Sequence, residues 1–183
     1  MDLYDDKTLK AMLADPKLRK KGFGIIVRQY SETLYWQVRR IVLMHEDADD
    51  VLQNAFMKAW QALDTFHGDS KIQTWLSRIA INEALDFMRR QKKHPTLSTD
   101  DVDAGIANQL LADNYFDGDE TEAQLQQAIA QLPDVQRTVF QLRYYDDMKY
   151  SDISRVLGTS EGALKASYHI AVKKISDFFH RHD

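Results

Sequence analysis

Between Tyr150 and Ile175, apolar residues recur at helical spacing on both sides of a single glycine turn, and no other stretch restricts the fold as much. Ile153, Val156 and Leu157 define one face of a short helix that Ser151 is placed to cap. Gly158 supplies the left-handed residue that closes it, and Thr159-Ser160 start a second helix. The second helix is expected to bury Leu164, Tyr168, Ala171, Val172 and Ile175. Glu161, Lys165, Ser167, His169 and Lys173 remain outside. A short helix, a glycine turn and a longer helix with polar residues outward suit a helix-turn-helix, which lays its second helix in a DNA major groove. An ordinary helical hairpin of an all-α domain has the same pattern.

The rest of the chain is punctuated sparsely. Seven Gly and three Pro among 183 residues favour long helices over tight turns. Gly22 to Met44 reads as one helix, about Asp47 to Leu63 as the next, and about Ile72 to Lys92 as a third, with a loop at Asp64–Ser70. Downstream, Thr121–Leu132 and Asp134–Tyr145 are helical, the latter started by Pro133. No strand pattern or internal repeat interrupts them. The expected fold is all-α, with two small helical domains (1–93 and 121–183) joined by a flexible acidic linker (94–120), and with the helix-turn-helix ending the second. Pro95 and dense Asp, Gly and Asn mark the linker, with a helical turn around Ile106–Leu111.

Charge is divided along the same boundaries. The net charge of −4 hides −1 over residues 1–70, +4 over 71–93, −9 over 94–136 and +2 over 137–183. Binding to phosphates follows local charge, so an acidic total does not exclude nucleic acid. Acidic residues such as Asp100, Asp101 and Asp103 are a candidate cover for a basic surface of the same molecule, which would weaken non-specific DNA binding. With no Cys, disulfides and thiolate metal sites are excluded. Of six scattered His, only His180 and His182 lie close together, and at a chain tip these read as a frayed tail. No apolar run approaches the roughly 18 residues of a membrane span. The acidic N-terminus lacks a signal-peptide core, so a cytoplasmic location is expected.

Chemistry concentrates on the third helix. Leu76, Ile79, Ala80, Ala84, Phe87 and Met88 form its expected buried stripe, while Trp75, Arg78, Asn82, Asp86, Arg89 and Lys93 align on another face. A base out of the stack can lie on Trp75, an interaction worth about 1–3 kcal/mol. Arg78, Arg89 and Arg90 can hold phosphates, and Asn82 can bond a base edge. Single-stranded DNA suits this face better than a duplex. Alternatively, Trp75 is a core residue at a helix start, and Arg89-Arg90-Gln91-Lys92-Lys93 complements the helix dipole. The acidic start Glu46-Asp47-Ala48-Asp49-Asp50 reads either as a favourable first turn or as a docking surface for a basic partner. No Ser/His/Asp set, phosphate-binding glycine loop or metal motif appears, so catalysis, metal and cofactor are not expected.

Together these segments resemble the extracytoplasmic-function class of the sigma-70 family. Asp47-Ala-Asp-Asp-Val-Leu-Gln-Asn-Ala-Phe-Met-Lys-Ala-Trp60 is similar to the family's core-polymerase-binding helix. Ile72-Gln-Thr-Trp-Leu-Ser-Arg-Ile-Ala-Ile-Asn-Glu-Ala-Leu-Asp-Phe-Met-Arg-Arg90 resembles the helix that opens and reads the −10 promoter element. Leu132-Pro-Asp-Val-Gln-Arg-Thr-Val-Phe140 with Tyr150–Ile175 resembles the domain that reads the −35 element. The resemblance covers residues 20–93 and 121–180 and implies a promoter-specificity subunit of RNA polymerase that is not itself an enzyme.

It also implies roles. Asp47, Asp49, Asp50, Gln53 and Asn54 would face the clamp helices of the polymerase's largest subunit, and the second domain would meet the flap of the second-largest. The loop Asp64–Ser70, with Lys71 and Thr74, would border a pocket for a flipped base; Trp75, Arg78, Asn82, Arg89 and Arg90 would hold the separated strand. Ser160, Glu161, Lys165, Ser167, His169 and Lys173 would address the upstream element. The linker would thread near the polymerase active centre. An anti-sigma factor, often membrane-bound, is the implied regulator, with no membrane insertion by this chain. Relatives often carry Glu at the position of Asn54 and Arg at those of Ser167, Ile170 and Val172, which leaves this recognition helix poor in phosphate and guanine contacts. A stand-alone regulator using only the helix-turn-helix, and an anti-sigma-like scaffold binding proteins alone, are the other readings; core-polymerase binding separates the first of these from a sigma factor.

Overall fold

A computed structural model describes residues 4–93 and 119–182, and among them all regular structure is helical. The chain divides into two compact units, Met1–Arg89 and Arg90–Asp183. The linker reading, including the turn at Ile106–Leu111, falls outside the described residues except at its end. There Asp119 caps a helix through its Oδ1 bond from the Glu122 amide, and that helix begins at Glu120, the last residue of the expected linker.

The first unit begins with a helix that periodicity did not reveal, α1 (Asp6–Ala14). Asp5 caps it by accepting from the Thr8 amide at 2.7 Å, and that backbone bond holds the Asp5 carboxyl below the usual range. α2 spans Arg19–Val42 and α3 His45–Gln61, each starting a few residues earlier than expected. A 3-10 turn at Leu63–Thr65 leads through the loop to α4 (Ile72–Lys93). Leu9 of α1, Ile26, Leu34 and Ile41 of α2, Val51 of α3 and Ile72, Leu76 and Ile81 of α4 are buried almost completely, so all four helices contribute buried apolar side chains. The buried stripe of α4 is broader than its apolar residues suggest. Ser77, Ile81 and Glu83 are buried, whereas Ile79, Phe87 and Met88 are only half-buried.

Close approach of α1 to α2 depends on glycine. A Cβ at Gly22 would stand 2.8 Å from the Met12 Cβ, whereas at Gly24 only the Arg28 guanidinium comes within 4.0 Å. Both glycines are helical, so Ala gains about 1 kcal/mol of propensity at either. At Gly22 overpacking costs about 1–3 kcal/mol more. We expect Gly22→Ala to lower the urea midpoint and Gly24→Ala to raise it; equal shifts would contradict the packing.

The second unit comprises α5 (Glu120–Ala130), α6 (Asp134–Tyr144), α7 (Tyr150–Leu157) and α8 (Glu161–His182). Ala128, Ile129, Leu132, Phe140, Ala171, Ile175 and Phe178 form its core. Buried Arg137 donates to the Ala130 carbonyl at 3.0 Å and to Asp134 at 3.0 Å, satisfying the end of α5 from the start of α6. Pro133 is the residue before α6, at its N-cap position. α8 runs on to His182, so the expected frayed tail is helical. His180 Nδ1 is 2.7 Å from the Ser176 carbonyl, which can only accept, so that nitrogen carries the proton.

Candidate nucleic-acid interface

The hairpin of α7 and α8 has the expected turn. Gly158 sits at φ 66°, ψ 27°, and its amide bonds the Ser154 carbonyl at 2.8 Å. Ser160 Oγ accepts from the Ala163 amide at 3.3 Å and so caps α8. Ser151 does not cap α7. Lys149 occupies the cap position without a side-chain bond, and Ser151 is already inside the first turn. Ser160, Glu161, Lys165, His169 and Lys173 are exposed, as expected of an outward face, while Ser167 is half-buried.

The burial expected of Val172 is corrected: it is 40% exposed, and Ile170 is 47% exposed. The buried line is Leu164, Ala171, Ile175 and Phe178, with Tyr168 half-buried. Val172 lies about 100° around the helix from Ala171 and leaves that line.

Arg143 and Lys165 both approach the Tyr150 ring, at 5.5 and 5.7 Å from its centroid. Tyr168 packs edge-on against the same ring at 6.5 Å. Burial, and secondarily Tyr150, raise the Tyr168 hydroxyl above its usual range. The outward cation Lys165 is therefore tied to the aromatic core of the hairpin.

Lys71, just before α4, and Thr74, Arg78, Asn82, Arg89 and Arg90 along α4 are exposed to solvent. Arg89 is not idle there, because its Nη1 lies 2.6 Å from Asp86. Trp75 is neither a full core residue nor an open platform. It is half-buried, and its ring leans on Phe66 at 4.6 Å and 32°. Phe66 belongs to the loop, so the loop and the first turn of α4 form one aromatic corner. The sequence reading passed over Phe66. Its only signal was an aromatic residue in an otherwise polar loop.

On α3, Asp49, Asp50, Gln53 and Asn54 are exposed and Asp47 is half-buried. Asp49 lies 3.4 Å from His45 Nε2, while His45 Nδ1 shares a 2.6 Å hydrogen bond with the Tyr35 hydroxyl. Farther along the same helix, Met57 is 57% and Trp60 42% exposed, Trp60 resting edge-on against Phe23 at 5.1 Å. Asp50, Gln53, Asn54, Met57 and Trp60 recur at three- and four-residue spacing, so acid, amide and apolar groups share one side of the helix. Large apolar side chains beside carboxylates on an outward face suit a protein partner better than DNA. Met57 and Trp60 were not among the expected docking residues.

Among the described residues no group of three or more His, Asp or Glu could hold a metal, and no helix is long and apolar enough to cross a membrane.

Comparison with known proteins gives these faces a context. The family described as Sigma-70 region 2 matches residues 26–94, and Sigma-70, region 4 matches residues 122–175. The RNA polymerase sigma-H factor of Pseudomonas aeruginosa is 34% identical over 157 residues, covering 80% of each chain. The ECF RNA polymerase sigma factor SigW of Bacillus subtilis is 34% identical over 164 residues, 82% of this chain and 87% of SigW. The sigma factor RpoE of Bartonella quintana, solved in complex with the anti-sigma factor NepR, shares the fold with a TM-score of 0.66 at 20% identity, over 87% of this chain and 98% of that one. With both regions matched in order and curated relatives aligned over most of their length, the chain belongs to the extracytoplasmic-function class of the sigma-70 family, the subunits that direct RNA polymerase to promoters and begin transcription.

Proposed function

We propose that the outward faces of the two units divide the work of initiation. Residues 1–93 act as region 2, 94–120 as the linker and 121–183 as region 4. The α3 face, with Asp47, Asp49, Asp50, Gln53 and Asn54 and the adjoining Met57 and Trp60, docks on the clamp helices of the polymerase's largest subunit. The loop Asp64–Ser70, Lys71, Thr74 and Trp75 receive a base flipped from the −10 element, and Arg78, Asn82, Arg89 and Arg90 hold the strand. α8 addresses the −35 element through Ser160, Glu161, Lys165, Ser167, His169 and Lys173, and the second unit meets the flap of the second-largest subunit.

The observation that carries this reading is the corner where half-buried Trp75, braced by Phe66, adjoins exposed Arg78 and Asn82. Extruding a base costs a few kcal/mol, and a ring beside guanidinium and amide groups can recover it by stacking and hydrogen bonding. The chain supplies binding and strand separation; phosphodiester chemistry belongs to the polymerase, so the protein alone is not an enzyme and needs no cofactor. It works where the chromosome is, in the cytoplasm. The complex of RpoE with NepR supports an anti-sigma factor, membrane-bound or free, as a further partner.

The docking assignment is tested by reversing charge at Asp49 and Asp50, both exposed, where substitution spares the core. Like charges brought together at an interface cost several kcal/mol, so Asp49→Lys/Asp50→Lys is expected to weaken binding to purified core polymerase by at least about tenfold. Binding at wild-type strength would remove α3 from the interface.

A further inference from the structure

We propose that the amino-terminal helix α1 is a positioning element for promoter reading, acting through Asp6 and Lys10 on the loop before α4. The proposal rests on the assignment of that loop to the base pocket.

Lys10 Nζ donates to the Gly68 carbonyl at 2.9 Å across 58 residues of sequence. The same ammonium lies 5.9 Å from the centroid of Phe66, the ring against which Trp75 leans. Gly68 has φ 78°, a conformation that L side chains rarely adopt, and a Cβ there would meet the Lys10 stem at 3.7 Å. Asp6 Oδ2 accepts from the amide of Ile72, the first residue of α4, at 3.1 Å. A carboxylate from another helix thus satisfies a free amide where α4 begins, and it carries the charge that the helix dipole favours there. Asp6 and Lys10 also face each other at 3.6 Å, so the two anchors are coupled.

A third anchor comes from the start of α2. Arg19 bonds Asp64 at 2.8 Å and the Leu13 carbonyl of α1 at 3.0 Å. The loop is therefore held at Asp64 and Gly68, and the start of α4 at Ile72, all from α1 or its junction with α2. None of the holding side chains belongs to the strand-facing set. Discrimination between bases needs a pocket held to within about 0.5 Å, and these contacts supply the rigidity that a glycine-containing loop lacks.

The test uses holoenzyme reconstituted from core polymerase and the full chain. A duplex promoter library randomised across the −10 element is sorted by open-complex formation and sequenced. Each of Lys10→Met and Asp6→Ala removes one anchoring hydrogen bond, and each is expected to flatten the preference at the extruded-base position by about fivefold. Affinity for core should stay unchanged. Lys10→Arg and Asp6→Asn keep a donor and an acceptor and should retain the preference. Partial unfolding would lower all sequences alike and leave the ratio between bases intact. Should Asp6→Ala fail to fold, Lys10→Met, which keeps the aliphatic stem, carries the test. An unchanged ratio in Lys10→Met, with Phe66→Ala flattening it, would overturn the positioning role and leave the pocket standing. An unchanged ratio in Phe66→Ala as well would overturn the pocket, and the positioning role with it.

Discussion

Replacing Trp75 and Arg78 together by Ala is expected to reduce open-complex formation by about tenfold to a hundredfold while leaving core-polymerase affinity within about twofold. The scale follows from the loss of one base–aromatic stack, about 1–3 kcal/mol, together with a phosphate contact. Both side chains lie on α4, whereas the docking face is on α3, so the two readouts separate. Trp75→Phe keeps a ring against Phe66 and should lose less than Trp75→Ala, because the aromatic corner survives. Permanganate footprinting of the start region measures melting directly. Wild-type melting by the double variant would show that this face does not hold the strand.

The second large effect is on stability. Glu83 is 3% exposed in the middle of α4 and pairs with Lys58 of α3, whose side chain is 54% exposed. Removing one partner of a fully buried ion pair costs about 3–5 kcal/mol, because the other charge stays behind. Solvent reaches Lys58 and Glu83 has further contacts, so Lys58→Met is expected to cost less, about 2 kcal/mol. Lys58→Met/Glu83→Leu should recover much of that loss, since an apolar pair avoids the desolvation penalty. Urea denaturation of the three chains reads this out; equal midpoints for wild type and Lys58→Met would mean that the pair contributes nothing. The pair ties the docking helix to the reading helix, so its loss should also weaken initiation more than binding to single-stranded DNA.

The helix-turn-helix was legible because local signals determine it. Gly158 takes the left-handed conformation, Ser160 caps the second helix, and apolar spacing fixes most of the buried line. Where periodicity had to choose between neighbours it failed. Val172 adjoins the buried Ala171 and looks like core in one dimension, yet it stands outside in three. The α3 and α4 faces were legible as polar residues at three- and four-residue spacing.

What remained hidden depends on partners distant in sequence. Glu83 is buried and pairs with Lys58 of another helix, whereas a lone Glu in a helix reads as solvated. Phe66 acquires its role only by touching Trp75. Helix α1 is short and polar, with only Leu9 and Leu13 buried, so its apolar pattern is too brief to stand out; the cap from Asp5 to Thr8 was its one local mark. Its contacts with Gly68 and Ile72 span about one-third of the chain, beyond the reach of any spacing argument.

The central claim, that this chain directs RNA polymerase to promoters, is tested most directly by run-off transcription. Fragmented genomic DNA of the source organism is transcribed by purified core polymerase with and without the protein. Discrete new start sites that depend on the protein and share two upstream sequence blocks are the expected result. The absence of new starts, with the full chain still binding duplex DNA, would contradict a sigma role and point to a stand-alone regulator.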